Sequence, residues 1–308
     1  MLNIVECRGV FLKIPRNYSF SFSNSPYYAH KYFKAVDIYP PLGDKTIASP
    51  FNGKLVYYRE LHGEHICGFK TGEYYIRILH LKPYMDLGEE VGVGEVLGEP
   101  MDSPTFCPWT DHHIHVEIRD KPEFLRARGG LELDLAIDLV ELVRNSVSKV
   151  AKLNKNNYVE GEIILVDKNR YILVKPRKTC LGLTPIAIEV NGVKGFLEGG
   201  IPYYGYGGII VSSTDTSHSI KEEIIYLYGE PIGYIDYTRR SYLHIQLYKD
   251  IVFYTREIPL KGIGLYLNNP YIKLVPRKWS NNCLKEGDIL VLSLISLKTL
   301  GKSINNSY

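Results

Sequence analysis

The chain is organised around the segment Asp111-His112-His113-Ile114-His115-Val116-Glu117-Ile118-Arg119. From His113 to Ile118, polar residues alternate with β-branched ones, and this period of two predicts a β-strand. The alternation places His113, His115 and Glu117 on one face of the strand. Two imidazoles at this spacing have their Cα atoms roughly 7 Å apart. Both can therefore serve one pocket, one as a metal ligand and the other as a proton-transfer group, although a lone His-x-His is more often a solvated strand face.

The distribution of histidine favours a functional site in the N-terminal part. Seven of the nine histidines lie between positions 30 and 115, namely His30, His62, His65, His80, His112, His113 and His115. Histidine is the commonest metal ligand and acid–base side chain. Asp37 lies within the apolar run Ala35–Tyr39, where an unpaired buried carboxylate would be costly. We therefore expect Asp37 to face a cation, either an arginine, a lysine or a metal ion.

Length and composition limit the class of protein. A chain of 308 residues fits two domains better than one, and 45% apolar with 23% charged residues is typical of soluble globular proteins. The net charge of +3 gives no argument for nucleic acid as a partner. No run approaches 18 uncharged apolar residues, which argues against a transmembrane helix. Because no signal peptide is visible, we expect a cytoplasmic location, without excluding export by another route.

The cysteines predict thiols and not a framework of disulfides. Five are present (Cys7, Cys67, Cys107, Cys180 and Cys283), an odd number without C-x-x-C spacing. This pattern is typical of buried thiols in a reducing compartment, and it disfavours a cysteine-ligated zinc.

The predicted fold class is mostly β. Short strands at regular intervals predict an N-terminal antiparallel β-sheet domain over residues 1–128, and helical spacing of leucine and valine over residues 134–153 places one connecting helix within 129–157. Residues 158–308 predict a second β-rich domain, sandwich or barrel-like, whose partner the sequence does not indicate. Residues 63–72 are interpreted as a hairpin loop, so His62 and His65 are expected to be exposed and not to form a second metal cluster.

Two imidazoles and one carboxylate suit a catalytic zinc that keeps one position for water. Five blocks carry a resemblance that covers roughly residues 28–120: AVDIYPP (35–41), ASPFNGKLV (48–56), ILHL (78–81), GEEVGVGEVLG (88–98) and DHHIHVEIR (111–119). In this order they resemble the lysostaphin-like, LytM-type zinc endopeptidases, which cut peptide cross-links of bacterial cell walls. The resemblance implies a zinc cofactor and a peptide or cell-wall-like peptide as substrate.

The same resemblance implies the site residues. Its zinc ligands would be His30, Asp37 and His115, and its catalytic histidines would be His80 and His113. One of the two catalytic histidines would take the proton of the attacking water, and the other would stabilise the tetrahedral intermediate. The resemblance does not assign which histidine does which.

The chain departs from the family pattern at the first ligand. Family members usually place this histidine four residues before the aspartate, where this chain has Phe33, and His30 stands seven residues before Asp37. On a continuous strand an odd separation would point the two side chains to opposite faces. A loop or bulge between Lys31 and Lys34 is therefore required. The alternative interpretation is a catalytically degenerate LytM-type scaffold or regulatory binding protein, and the position of His30 distinguishes the two.

Overall fold

The computed structural model describes residues 1–150, 158–177, 183–212, 220–256, 258–279 and 284–296. The chain divides into two compact units, Met1–Leu139 and Val140–Tyr308. Both units are built predominantly of antiparallel β-strands, which confirms the mostly-β fold class. Cys180, His218 and Cys283 lie outside the described residues.

The first unit holds one short helix and thirteen strands. In chain order they are β1 (Leu2–Cys7), β2 (Val10–Ile14), β3 (Ser19–Ser21), α1 (Tyr28–Lys31), β4 (Val36–Tyr39), β5 (Ile47–Ala48), β6 (Gly53–Leu61), β7 (Glu64–Thr71), β8 (Tyr74–Leu79), β9 (Leu81–Pro83), β10 (Glu90–Val91), β11 (Val96–Pro100), β12 (Ile114–Arg119) and β13 (Asp134–Leu135). A second helix, α2 (Ile137–Val150), follows.

A seven-stranded antiparallel sheet, in the order β10-β6-β7-β8-β12-β4-β3, forms the frame of the first unit. Strand β12 lies between β8 and β4, and its register places His115 opposite Asp37 on one side and Leu79 on the other. Ile114 and Val116 are fully buried on the alternate face. Residues directly opposite in such a sheet have Cβ atoms roughly 4.5–5.5 Å apart. The register therefore brings a carboxylate and an imidazole together.

The predicted hairpin loop over residues 63–72 is wrong, because Glu64–Thr71 form strand β7, which lies between β6 and β8 inside the sheet. The prediction of a loop depended on the glycines in this segment. Gly68 is required by packing, since a Cβ atom there would overlap the ring of Phe124. His65 is consequently buried on β7, where the hydroxyl group of Tyr58 lies 2.9 Å from its Nδ1. His62 is exposed in the turn before β7, as expected.

Two further predictions are wrong: the residue pattern over 74–81 predicts one continuous strand, and Asn52-Gly53 predicts a hairpin turn between two strands. The segment 74–81 is broken at His80, which has φ +64° and separates β8 from β9. The strands on either side of Asn52-Gly53 do not pair with each other: β5 pairs with β11, while β6 pairs with β7 and β10. Two smaller sheets, β13-β1-β2 and β5-β11-β9, complete the unit.

Helix α2 begins later than the sequence predicts. Asp134 and Leu135 form β13, which pairs with Glu6 and Val5 of β1, so residues that the helical spacing included belong to a sheet. Residues 151–153 of the predicted helix lie outside the described residues.

The second unit contains β14 (Tyr158–Asp167), β15 (Tyr171–Pro176), β16 (Ala187–Val190), β17 (Val193–Ile201), β18 (Tyr206–Val211), β19 (Ile224–Leu227), β20 (Glu230–Arg239), β21 (Tyr242–Leu247), β22 (Ile251–Thr255), β23 (Ile258–Leu265), β24 (Ile272–Pro276) and β25 (Ile289–Ser296). Strands β23-β22-β25-β14-β15-β24 form a ring, because β24 also pairs with β23. The ring gives this unit a barrel-like part, around a core rich in isoleucine, leucine and valine.

Across the described ranges, no helix is both long enough and apolar enough to cross a membrane.

Candidate metal centre

Three side chains bring their polar atoms together at one point in the first unit. His30 Nε2 lies 3.0 Å from Asp37 Oδ1 and 2.9 Å from His115 Nδ1, and His115 Nδ1 lies 3.1 Å from Asp37 Oδ1. All three side chains are at most 1% exposed. In the described part of the chain they form the one group of three such residues whose ligand atoms converge.

His30 reaches this point through a turn that the sequence required but could not specify. Helix α1 carries His30, and the chain turns back as Lys34 N–H donates to Ala29 O and Phe33 N–H donates to His30 O. Phe33 has φ +53°, an uncommon conformation for a bulky residue, and it is fully buried. The N–H of Leu133 donates to Phe33 O. Phe33 thus serves as a core residue of the turn that presents His30.

The outer nitrogen of each histidine determines its tautomer. His30 Nδ1–H donates to the carbonyl oxygen of Phe22 over 2.9 Å, and His115 Nε2–H donates to Glu117 Oε1 over 3.0 Å. Carbonyl and carboxylate oxygens only accept, so each neutral ring carries its proton on the outer nitrogen. The lone pairs of His30 Nε2 and His115 Nδ1 therefore point at each other and at Asp37. Histidine ligands of metals are held in this way.

Glu117 is itself held by two buried arginines. Arg77 Nη1 donates to its Oε1 over 2.7 Å, and Arg119 donates to Oε2 from Nη2 over 2.6 Å and from Nε over 3.0 Å. Burial raises the pKa of this carboxyl group, but His115 and then the arginines outweigh burial and set the pKa at about 2. Glu117 is therefore a carboxylate that orients His115. Strand alternation placed Glu117 beside His115 and continues to Arg119, but nothing in the sequence indicated Arg77.

The donor atoms fit a metal ion. Asp37 Oδ2 is buried and has no hydrogen-bond partner among the residues described. Burial raises the pKa of Asp37, but the neighbouring imidazoles of His30, His113 and His115 hold it well below its usual value. Two lone pairs facing a carboxylate need a cation or a proton between them. A tetrahedral zinc at roughly 2.0–2.1 Å would hold its ligand atoms about 3.3 Å apart, close to the spacing observed.

His80 lies beside this group without contributing to it. Its ring centroid is 5.1 Å from that of His113 and 6.4 Å from that of His115. His80 Nδ1 lies 2.9 Å from Glu64 Oε1, and its buried Nε2 has no hydrogen-bond partner within the described residues. Burial lowers the pKa of His80 more than the contact with Glu64 raises it.

His113 completes the cluster. Its Nδ1 donates to the carbonyl oxygen of Asp111 over 2.8 Å, and its Nε2 lies 3.6 Å from Asp37 Oδ2. Burial lowers the pKa of His113 to about 4, although Asp37 acts in the opposite direction. His80 and His113 are thus neutral at pH 7, and both can present an Nε2 lone pair to a reacting group.

Aromatic residues that the sequence did not single out cover the cluster. The Phe106 ring stacks on His113 at 4.8 Å and contacts His80 edge-on at 4.6 Å. The Tyr27 ring lies 5.5 Å from His115, and its hydroxyl group contacts Thr105. Phe106 and Thr105 belong to the irregular segment between β11 and β12, where no periodicity could reveal a role.

His112, Cys67 and Cys107 are not members of the converging group. His112 is exposed and contacts Asp102 over 2.9 Å. Cys67 and Cys107 are free thiols, and Cys67 is buried. Burial raises the pKa of the Cys67 thiol, which makes it unreactive.

Comparisons with known proteins identify a domain but not an activity. Residues 12–135 match the family described as "Domain of unknown function (DUF8155) N-terminal domain". No curated protein matches the chain significantly. Among solved structures, the chain is similar to the antimicrobial peptidase lysostaphin from Staphylococcus simulans, with 14% identity over 89% of this chain and 95% of that chain, at a TM-score of 0.29. A solution structure of lysostaphin gives 14% identity, 89% and 94% coverage and the same TM-score. Similarity at this level carries no argument, so function rests on the geometry of the site.

Proposed function

We propose that the first unit is a zinc-dependent endopeptidase-like hydrolase that acts on a peptide or cell-wall-like peptide. One observation carries the proposal: the ligand atoms of His30, Asp37 and His115 converge, and the outer partners of both histidines leave lone pairs directed inward. Three protein ligands of this composition are typical of catalytic zinc, since they leave one position for water or substrate. When bound, zinc would polarise the scissile carbonyl group and lower the pKa of a water molecule.

In this proposal the two neighbouring histidines handle protons and charge. His80 and His113 lie with their ring centroids 5.1 Å apart, close enough to act on the same peptide bond. A neutral imidazole can accept a proton from water, and a protonated one can donate to the carbonyl oxygen or to the leaving amine. Low pKa values keep both rings in the accepting form at pH 7.

A second function, a metal-stabilised scaffold or regulatory binding module, is favoured by a different observation. Phe106 covers both histidines, and the side chains of His80 and His113 are 0% and 5% exposed. A peptide substrate can reach these rings only if the segment that carries Phe106 moves. In the scaffold function that segment stays closed, and the metal contributes to stability alone.

The first experiment measures zinc by elemental analysis in protein purified without a metal-affinity tag. The proposal expects one zinc per chain in the wild type and its loss in His30→Ala and His115→Ala. His112→Ala is the matched control, since His112 is exposed and outside the site, and it should keep the metal. Zinc that persists in His30→Ala would refute the ligand set.

The second experiment separates hydrolase from scaffold. Hydrolysis of glycine-rich and cell-wall-derived peptides is measured for the wild type, His80→Ala and His113→Ala. The hydrolase proposal expects both variants to keep zinc and to lose activity by roughly 10²–10⁴-fold. A zinc-loaded wild type that cleaves none of these peptides would favour the scaffold.

A further inference from the structure

Glu64 holds His80 at two points. Its Oε1 accepts a hydrogen bond from His80 Nδ1 over 2.9 Å and another from the His80 backbone N–H over 3.0 Å. One oxygen atom thus fixes both the ring and the backbone of the same residue. The sequence interpretation places Glu64 in a loop, whereas it begins strand β7 inside the sheet.

The backbone at His80 needs such support. His80 has φ +64°, a conformation that costs energy for a residue with a side chain. Its carbonyl oxygen accepts from Met101 N–H over 2.8 Å, and its N–H also lies 2.9 Å from His65 O. The conformation directs the imidazole toward His113 and His115 instead of along the strand.

Glu64 acts as a carboxylate. Its second oxygen, Oε2, accepts from the Ser103 hydroxyl group over 2.6 Å. Burial raises the pKa of Glu64, but the hydrogen bonds from His80 and Ser103 bring it below the usual value. A carboxylate cannot donate, so the proton of neutral His80 resides on Nδ1 and the lone pair on Nε2. That Nε2 atom is the buried one without a partner within the described residues.

His113 differs from His80 in the group that accepts the hydrogen bond from its Nδ1. His113 Nδ1 donates to the neutral carbonyl oxygen of Asp111, whereas His80 Nδ1 donates to a carboxylate. A carboxylate stabilises the imidazolium that forms when Nε2 takes a proton, and a carbonyl group does so far less. The two rings therefore differ in the group that fixes their Nδ1–H, a carbonyl oxygen for His113 and a carboxylate for His80.

Resting on the proposed function, we propose that Glu64 is a positioning residue that makes His80 the proton acceptor of the hydrolytic reaction. As the water oxygen forms its bond to the carbonyl carbon, the water proton moves to His80 Nε2. The same proton passes to the amine nitrogen when the C–N bond breaks, and Nδ1–H stays bonded to Glu64 throughout.

The decisive test observes the tautomer of His80 directly. Long-range ¹H–¹⁵N spectra of the full chain labelled with ¹⁵N-histidine give the protonation of each ring nitrogen, and the His80 signals are those missing in His80→Ala. The wild type is expected to show the Nδ1–H form. Glu64→Gln should keep it, because the amide oxygen still accepts, whereas Glu64→Ala should shift His80 toward the Nε2–H form. An Nε2–H form in the wild type, or no shift in Glu64→Ala, would overturn the proposal.

Kinetic measurements distinguish a positioning role of Glu64 in catalysis from a purely structural role. Glu64→Gln should lower kcat roughly 10–100-fold with little change in KM or zinc content, since acid–base catalysis typically supplies 10²–10⁴-fold. In a His80→Ala background the same substitution should have no further effect, because Glu64 acts only through His80. An undiminished kcat in Glu64→Gln, or additive losses in the double variant, would contradict it. If the wild type hydrolyses no peptide, the proposed function fails, and the tautomer measurement still decides the role of Glu64.

Discussion

Buried histidines occur in both units of the chain, but their surroundings differ. In the first unit, His30 and His115 donate from their outer nitrogens to Phe22 O and Glu117, so that their inner nitrogens converge on Asp37. In the second unit, the His244 ring stacks between two tyrosine rings, at 5.3 and 4.5 Å. Burial of a histidine therefore does not identify a site. What distinguishes the first unit is the convergence of lone pairs with a carboxylate.

The largest expected effect comes from removing the metal. Chelation by EDTA should lower the melting temperature of the wild type, because a ligand present at 100 times its Kd contributes about 2.7 kcal/mol to the folded state. For a unit of this size we expect a shift of roughly 5–10 °C, measured by differential scanning calorimetry. His30→Ala should not respond to EDTA, whereas His244→Phe, which keeps an aromatic ring between the tyrosines, should respond like the wild type. A melting temperature of His30→Ala that EDTA still lowers would show that the metal does not depend on His30.

The next effect tests the outer partner of His115. Glu117→Gln removes the charge that orients this ring, and loss of such a partner typically costs 10–100-fold in metal affinity. Zinc affinity is measured by competition with a chromophoric chelator. The variant also leaves Arg77 and Arg119 without their buried carboxylate, so unfolding by urea should show reduced stability as well. An unchanged zinc affinity would show that Glu117 serves the arginines alone.

A smaller effect is expected on the accessibility of His80 and His113 when the Phe106 ring that packs on them is removed. Phe106→Ala removes the ring that packs on His80 and His113, so both imidazoles should become accessible. Their modification by diethyl pyrocarbonate, followed by mass spectrometry, should accelerate several-fold, while the zinc content stays unchanged. Tyr84→Ala, an exposed ring outside these contacts, is the control. Equal rates in both variants would show that Phe106 does not shield the histidines.

The smallest expected effect is a difference in reactivity between the thiols of Cys67 and Cys107. Burial raises the pKa of Cys67, so a maleimide should label Cys107 and not Cys67 in folded Cys180→Ser/Cys283→Ser protein. Cys67→Ser should retain full zinc binding. Labelling of Cys67 at the rate of Cys107 would mean that β7 opens readily, which would weaken its role as the support of Glu64.

The sequence predicts the parts of the site that follow strand periodicity. Alternation along β12 placed His115 and Glu117 on one face, and the apolar run around Asp37 indicated a buried carboxylate that needs a cation. The shared face of β12 and the burial of Asp37 are confirmed, because a β-strand imposes its period of two on every side chain. The pairing of β12 with β4 then brings His115 and Asp37 together.

Other parts depend on contacts between distant residues and leave no local pattern. The turn that presents His30 depends on Phe33 and on its hydrogen bond from Leu133, a hundred positions away. Gly68 resembles a turn residue, yet it is glycine because of the Phe124 ring. The interpretation of residues 63–72 as a loop therefore missed strand β7 and the contact of Glu64 with His80. Phe106 lies in an irregular segment, where no periodicity marks a residue that contacts the site.

X-ray absorption at the zinc edge of the purified chain observes the proposed ligands themselves. We expect four light-atom ligands at roughly 2.0–2.1 Å, with scattering from two imidazoles in the wild type and a loss of bound zinc in Asp37→Ala. A sulfur ligand at about 2.3 Å, or bound zinc with the same spectrum in Asp37→Ala, would contradict a centre formed by His30, Asp37 and His115.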